Sequence, residues 1–408
     1  MIENNNFENN GNVTSASELP EREPKAEFDI KSFNSYSQPY THQAEPPHQD
    51  TVPLSSSEAP IKHLSPDGSY YTPEVPTWYY GYNENSAKPP VDPALEARLF
   101  KKDLRRRFSY VAFMILAMFF IYQFAGSLAL GIYAAMTNTT IEDLSQTATM
   151  IIGTLSIALV GFPVLLLMLL PKKASKPIKS KTNPIKLLPY LTISALCVIS
   201  GVLLGSIIKS VLGEILGAEM QDIVSSGLEG VPLWLILIFV CVFPGIFEEL
   251  IFRKLVIDKT REFGDFAAVV FSALTFGIFH GNFEQFFYAF FTGLLFGYVY
   301  VKTGRILYTI ILHTTVNFCG SVVTTLIQDS TVAQLIYLIA VFVIGFIGLI
   351  ALVFEIIDNH KKFNDDIGIQ KIGGTDVIKG IFLNPGAITF FIVFIYVFVE
   401  YTLMSFSL

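Results

Sequence analysis

The sequence predicts an all-α polytopic membrane protein, with about eight or nine transmembrane helices behind a disordered N-terminal cytoplasmic tail. Three observations predict it. Of the 408 residues 51% are hydrophobic and only 15% are charged, whereas soluble domains carry roughly a quarter of their residues as charges. The net charge of -7 is unevenly spread: residues 1–99 hold 15 acidic against 6 basic side chains, and the rest of the chain is nearly neutral. From Phe108 onward the chain is a succession of apolar runs, each near the ~20 residues that cross a hydrocarbon core as a helix. This balance excludes a nucleic-acid-binding protein, which needs a basic footprint. Cys197, Cys241 and Cys319 all fall inside apolar runs, which excludes a disulfide framework and a cysteine-based zinc site.

Residues 1–95 hold 13 of the 21 prolines among Asn, Ser, Glu and Gln, with no apolar periodicity. Such a segment buries too little apolar surface to offset its ordering entropy, so it is expected to be disordered. Its start has neither a basic nor an apolar signal region, and no cleaved signal peptide is expected. The cluster from Tyr70-Tyr71 to Trp78-Tyr79-Tyr80 and Tyr82 reads three ways: a docking element for a cytoplasmic partner, an element at the lipid headgroup layer, or a functionless linker.

Spans are predicted at about 108–136, 150–170, 187–212, 232–254, 264–280, 285–301, 304–327, 332–357 and 385–406. They divide the body into N-terminal helices (96–231), a core (232–328) and C-terminal helices (329–408). Basic residues follow alternate spans: Lys101 to Arg107 before the first, Lys172 to Lys186 after the second, Arg253 to Arg261 after the fourth, then Lys302 and Arg305, then Lys361 and Lys362. Intervening loops such as 137–147 and 213–231 carry acids but no Lys or Arg. The positive-inside rule therefore places the tail in the cytoplasm of a multi-pass cell-membrane protein.

Ionisable residues at membrane depth are costly and mark functional sites. The fourth span contains Glu248, Glu249 and Arg253, the fifth Phe276 and His280, the seventh His313 and Asn317. Glu249 and Arg253 are four apart and share a helix face, acid before base; the pair reads as structural, with Arg253 anchoring the helix at the cytoplasmic interface. Glu248 points about 100° away and has no base nearby in sequence. One acid, two imidazoles and one amide on three spans suit attack of water on a carbonyl: Glu248 as the base, His280 and His313 binding the water and oxyanion or a metal, Asn317 as an oxyanion donor. Zinc with His280, His313 and Glu248 as ligands remains one option, although no His-Glu-x-x-His helix is present. Taken singly, each histidine also reads as a helix–helix hydrogen bond, the acid pair as interfacial and Phe276 as packing; Glu284 and Glu400 read as interfacial.

The segments Glu248-Glu249-x-x-x-Arg253, Phe276-x-x-x-His280 and His313-x-x-x-Asn317 resemble, in order and complete, the three motifs of the CPBP family. These are the CAAX proteases and bacteriocin-processing enzymes, also called the Abi or type II CAAX prenyl endopeptidase family. The resemblance covers about residues 232–320. It implies an intramembrane endopeptidase acting on a peptide or protein substrate, with Glu248 as the water-activating glutamate and His280, His313 and Asn317 as further catalytic positions. Members are described both as metalloproteases and as metal-independent glutamate proteases. Two other readings stand beside the enzyme: a non-catalytic protein of the same fold, serving as immunity factor or scaffold, and a proton-coupled transporter, for which no inverted repeat is evident.

His280 poses a geometric problem, because a fully crossing fifth span would carry it away from Glu248 to the outer surface. Spans five and six are therefore expected to form a shortened hairpin, with the turn at 281–284 inside the protein.

Overall fold

The computed structural model describes residues 63–64, 70–71, 92–180, 184–217, 227–364 and 366–407. Most of the N-terminal tail, including Trp78 and Tyr82, lies outside the described residues. Within it, β1 (His63–Leu64) and β2 (Tyr70–Tyr71) form a two-residue antiparallel ladder, His63 opposite Tyr71 and Leu64 opposite Tyr70.

From Asp92 onward the described chain is helical. Among the described residues, eight helices are long and apolar enough to cross a membrane: α1 (Pro93–Thr137), α2 (Gln146–Leu169), α3 (Ile185–Leu216), α4 (Leu233–Phe263), α6 (Phe283–Thr303), α7 (Ile306–Ile327), α8 (Thr331–Asn359) and α11 (Pro385–Phe406). Three helices are shorter: α5 (Asp265–Phe279), α9 (Ile367–Ile372) and α10 (Gly374–Phe382). The protein is a multi-pass membrane protein.

The order of packing follows from where side chains are small. α6 lies between α3 and α5, α3 also carries α8, and α1 packs on α10 and α11. A Cβ at Gly201 of α3 would lie 2.2 Å from the Tyr288 backbone nitrogen on α6, so glycine sets this contact, as small residues do where membrane helices meet closely. Gly201→Leu is expected to cost about 1–3 kcal/mol through overpacking, read as a lower unfolding temperature in detergent; an unchanged temperature would contradict the close packing of α3 on α6. α8 buries little of itself. Leu335, Ile336, Phe342, Phe346 and Phe354 are all exposed along it, the pattern of a helix whose remaining faces meet lipid.

α5 has 15 residues, a rise of about 22 Å that falls short of the ~30 Å hydrocarbon core. The predicted nine spans are thus eight long helices and one short one. The turn between α5 and α6 is enclosed by protein, with Asn282 only 3% exposed. Its side chain supplies the hydrogen bonds that a buried turn needs: Oδ1 accepts from Gln285 N at 2.8 Å, and Nδ2 donates to the His280 carbonyl at 2.9 Å. A pair from α3 and α6, Lys209 Nζ to Glu284 Oε1 at 2.7 Å, ties the hairpin to its neighbour. At the opposite end of α5, buried Asp366 accepts from Phe266 N at 2.9 Å and from Gly368 N at 3.0 Å, capping α5 and α9 together. Outside the spans, Lys101 lies 2.9 Å from Asp376 and holds that exposed carboxyl below its usual range.

Candidate active site

Glu248 and Glu249 lie at the midpoint of α4. The helix is not a regular α-helix there: residues 237–242 and 249–257 have wide, π-type turns, a local geometry common at functional sites. Pro244 and Gly245 explain part of the irregularity. Pro244 has no N–H to offer the Val240 carbonyl four residues earlier; the Asn317 side chain of α7 donates to that carbonyl instead, at 3.0 Å. A Cβ at Gly245 would lie 2.3 Å from Thr314 Oγ1. The glycine lets α7 approach α4 one residue beyond His313, and so brings that histidine to the acid pair.

The four groups form a chain. Arg253 Nη1 is 3.1 Å from Glu249 Oε1 in an ion pair, though not aligned as a hydrogen bond. Glu249 Oε1 is 2.8 Å from His313 Nδ1. His313 Nε2 faces Glu248 Oε2 at 3.6 Å. Both Glu249 and Arg253 are fully buried, which corrects the expectation of an interfacial anchor: Arg253 sits in the protein interior. It stacks over Phe276 at 4.3 Å and Phe296 at 5.5 Å, contacts suited to a weakly hydrated guanidinium. Phe276 is correspondingly a core residue, 2% exposed.

His280 closes the arrangement from α5. Its ring and that of His313 meet the same Phe276 ring edge-on, at 5.0 and 5.7 Å. Glu248 is within electrostatic range of His280. Glu248 and His280 lie equally far along the chain from Gly264, the turn joining α4 to α5. His280 Nδ1 is 2.9 Å from the Phe276 carbonyl. A carbonyl only accepts, so Nδ1 carries the proton and the neutral ring presents Nε2 as an acceptor. The same reasoning gives His313 its proton on Nδ1, facing Glu249.

Glu248 alone of the chain opens outward. With 17% of its side chain exposed, it stands at one end of a cavity of about 380 Å³, walled by Phe243, Pro244 and Phe247 of α4 and by Gln146, Thr149, Gly153 and Ile157 of α2. A carboxylate at the base of a mostly apolar cleft is a common form of binding site. Tyr122 of α1, 6% exposed, lies within electrostatic range of the same carboxylate.

Comparison with known proteins places this region. Residues 230–319 match the family Rce1-like, described as Type II CAAX prenyl endopeptidase Rce1-like. No curated protein and no solved structure matches the chain. The match is consistent with the CPBP family and spans Glu248, Glu249, Arg253, Phe276, His280, His313 and Asn317. These are the residues that the fold gathers on α4, α5 and α7. Tyr122 and Lys209 lie outside the Rce1-like region; neither is part of a motif, and only packing against the hairpin and the acid pair singles them out.

The donor set was also a candidate for zinc. By chemistry, two imidazole Nε2 atoms and a carboxylate are suitable ligands. Geometrically they do not fit: among the described residues, no group of three or more His, Cys, Asp or Glu side chains could hold a metal ion.

Proposed function

We propose that the chain is an intramembrane endopeptidase that hydrolyses a peptide bond with a water activated by Glu248. The observation that carries this reading is the open position of Glu248, 3.6 Å from a histidine whose other nitrogen is held by a buried carboxylate–guanidinium pair. The Rce1-like match supports the same reaction class.

Glu248 takes a proton from water as the oxygen attacks the carbonyl. His280 and His313, each with Nδ1–H fixed by an acceptor, direct Nε2 toward the site and orient the water's hydrogens. A proton passed to His313 Nε2 lies between Glu248 and Glu249, which stabilise the imidazolium; from there it returns to the leaving nitrogen as the C–N bond breaks. Arg253 holds Glu249, and Phe276 holds both imidazoles and the guanidinium, so these act as positioning residues. The Asn317 amide spends one hydrogen on the Val240 carbonyl and has a second for the oxyanion.

No step in this scheme runs through a metal. Purified protein is expected to cleave peptide at an unchanged rate after chelation, measured in detergent or liposomes; loss of cleavage that zinc restores would replace the scheme with a metal-assisted one. The scaffold reading fares worse, because it does not require the complete set of acid, imidazoles and amide. We further propose, from the basic loops, that the N-terminal tail faces the cytoplasm.

A further inference from the structure

The groups gathered on α4, α5 and α7 are rich in acceptors and poor in donors. With Nδ1 of His280 facing the Phe276 carbonyl and Nδ1 of His313 facing Glu249, both imidazoles present Nε2 as an acceptor, and the Glu248 carboxylate is a third. Arg253 is turned to Glu249, Phe276 and Phe296. A developing oxyanion is left with one donor from this set, the second amide hydrogen of Asn317, whose first goes to the Val240 carbonyl. Oxyanion sites depend on donors fixed in place before the reaction.

A further donor stands on α1, outside the Rce1-like region. Tyr122 is 6% exposed, and its ring is held from three sides. Phe119 meets it edge-on at 5.7 Å and Phe279 lies at 5.8 Å; Gly161 of α2 comes against its stem, where a Cβ would lie 3.5 Å from Tyr122 Cβ and Cδ1. Two of these neighbours belong to the site. Phe279 immediately precedes His280, and Gly161 is four residues beyond Ile157, which lines the cleft at Glu248. The Glu248 carboxylate is within electrostatic range of the phenol. Among the described residues no group hydrogen-bonds the Tyr122 hydroxyl, whereas a buried tyrosine ordinarily finds a partner for it. Phenylalanine would fill the same space between the rings, so packing alone does not account for the hydroxyl.

We propose that Tyr122 is an oxyanion donor of this site, its hydroxyl hydrogen-bonding the carbonyl oxygen of the scissile peptide as negative charge develops there. The inference rests on water activation by Glu248. As the water oxygen bonds to the carbonyl carbon, the C=O π pair moves onto the oxygen, where Tyr122 and Asn317 donate to it from α1 and α7. Tyr122 keeps its proton throughout. The pair returns to rebuild the carbonyl as the C–N bond breaks and the leaving nitrogen takes its proton from His313. A neutral phenol suits this role, because it supplies a donor without placing a charge in the interior.

The test is Tyr122→Phe in the purified full chain in liposomes. The probes are a library of internally quenched peptides and the phosphinate counterpart of a cleaved member, a stable tetrahedral anion. The variant keeps the ring and its packing, so the unfolding temperature is expected to hold. kcat is expected to fall about 10²-fold, the effect of losing one oxyanion donor, with KM little changed, and the phosphinate is expected to lose affinity by a similar factor. Unchanged kcat overturns the proposal. So does a fall in kcat with phosphinate affinity unchanged, which would make Tyr122 a packing residue. Glu248→Gln in the same assay separates the two readings. Cleavage that survives it, or a wild type that cleaves no member of the library, refutes Glu248 as the water-activating base and this inference with it; an inactive Glu248→Gln beside a fully active Tyr122→Phe refutes the role of Tyr122 alone.

Discussion

Glu248→Gln is expected to reduce peptide cleavage about 10²–10⁴-fold, the usual contribution of a general base, with little change in unfolding temperature. The amide keeps the size of the side chain but cannot take a proton from water. Stability is expected to hold because Glu248 is partly open to the cleft and its polar neighbour His313 is anchored independently by Glu249 at 2.8 Å. Initial rates on a peptide substrate, beside thermal unfolding of the same preparation, check both halves. A variant that keeps wild-type turnover would remove Glu248 from the mechanism and leave the cavity without a catalytic group.

Arg253→Ala is expected to act on the fold and the chemistry together. Removal of the guanidinium leaves the Glu249 carboxylate fully buried without its cation, a defect that costs about 3–5 kcal/mol, and empties the space between Phe276 and Phe296. The unfolding temperature should fall markedly, and cleavage should fall with it as His313 loses its fixed acceptor. The double variant Arg253→Met, Glu249→Gln separates the two effects. It removes the buried charges as a pair and fills the space, so stability should largely return, while cleavage stays low. Recovery of both would mean that the pair serves packing alone, and an unchanged unfolding temperature in Arg253→Ala would mean that the buried charge is compensated elsewhere.

Much of the site was legible in the sequence because charge is rare in this body. Against so apolar a background Glu248, Glu249, Arg253, His280 and His313 stand out, and their spacing places Glu249 with Arg253 on one helix face. The role assigned to Arg253 was wrong in one respect. Spacing gives the partner of a side chain but not its depth, and cation contacts with Phe276 and Phe296 draw this one into the interior. Asn317 illustrates the same limit: its hydrogen bond goes to a carbonyl released by Pro244, a relation between two helices that no local pattern encodes. Lys209 carried no signal of its own, since a lysine near the end of a span is ordinary at a membrane interface, and Tyr122, midway along the first span, belongs to no motif.

The sequence by itself determined the membrane class, the helical character of the body, the positions of the spans and the identity of the polar groups, because each follows from composition and from backbone hydrogen bonding in lipid. Tertiary structure alone decided that Arg253 lies in the protein interior, that Asn317 serves the Val240 carbonyl and that Glu248 opens into a cleft walled by α2; the short α5 and the enclosed turn at Asn282 agree with what the position of His280 in the sequence requires. Hydrophobicity sorts residues between lipid and water but is uniform across a buried helix, so the pairing of faces is set by close approach at Gly201 and Gly245 and by the few hydrogen bonds that a buried polar group must find.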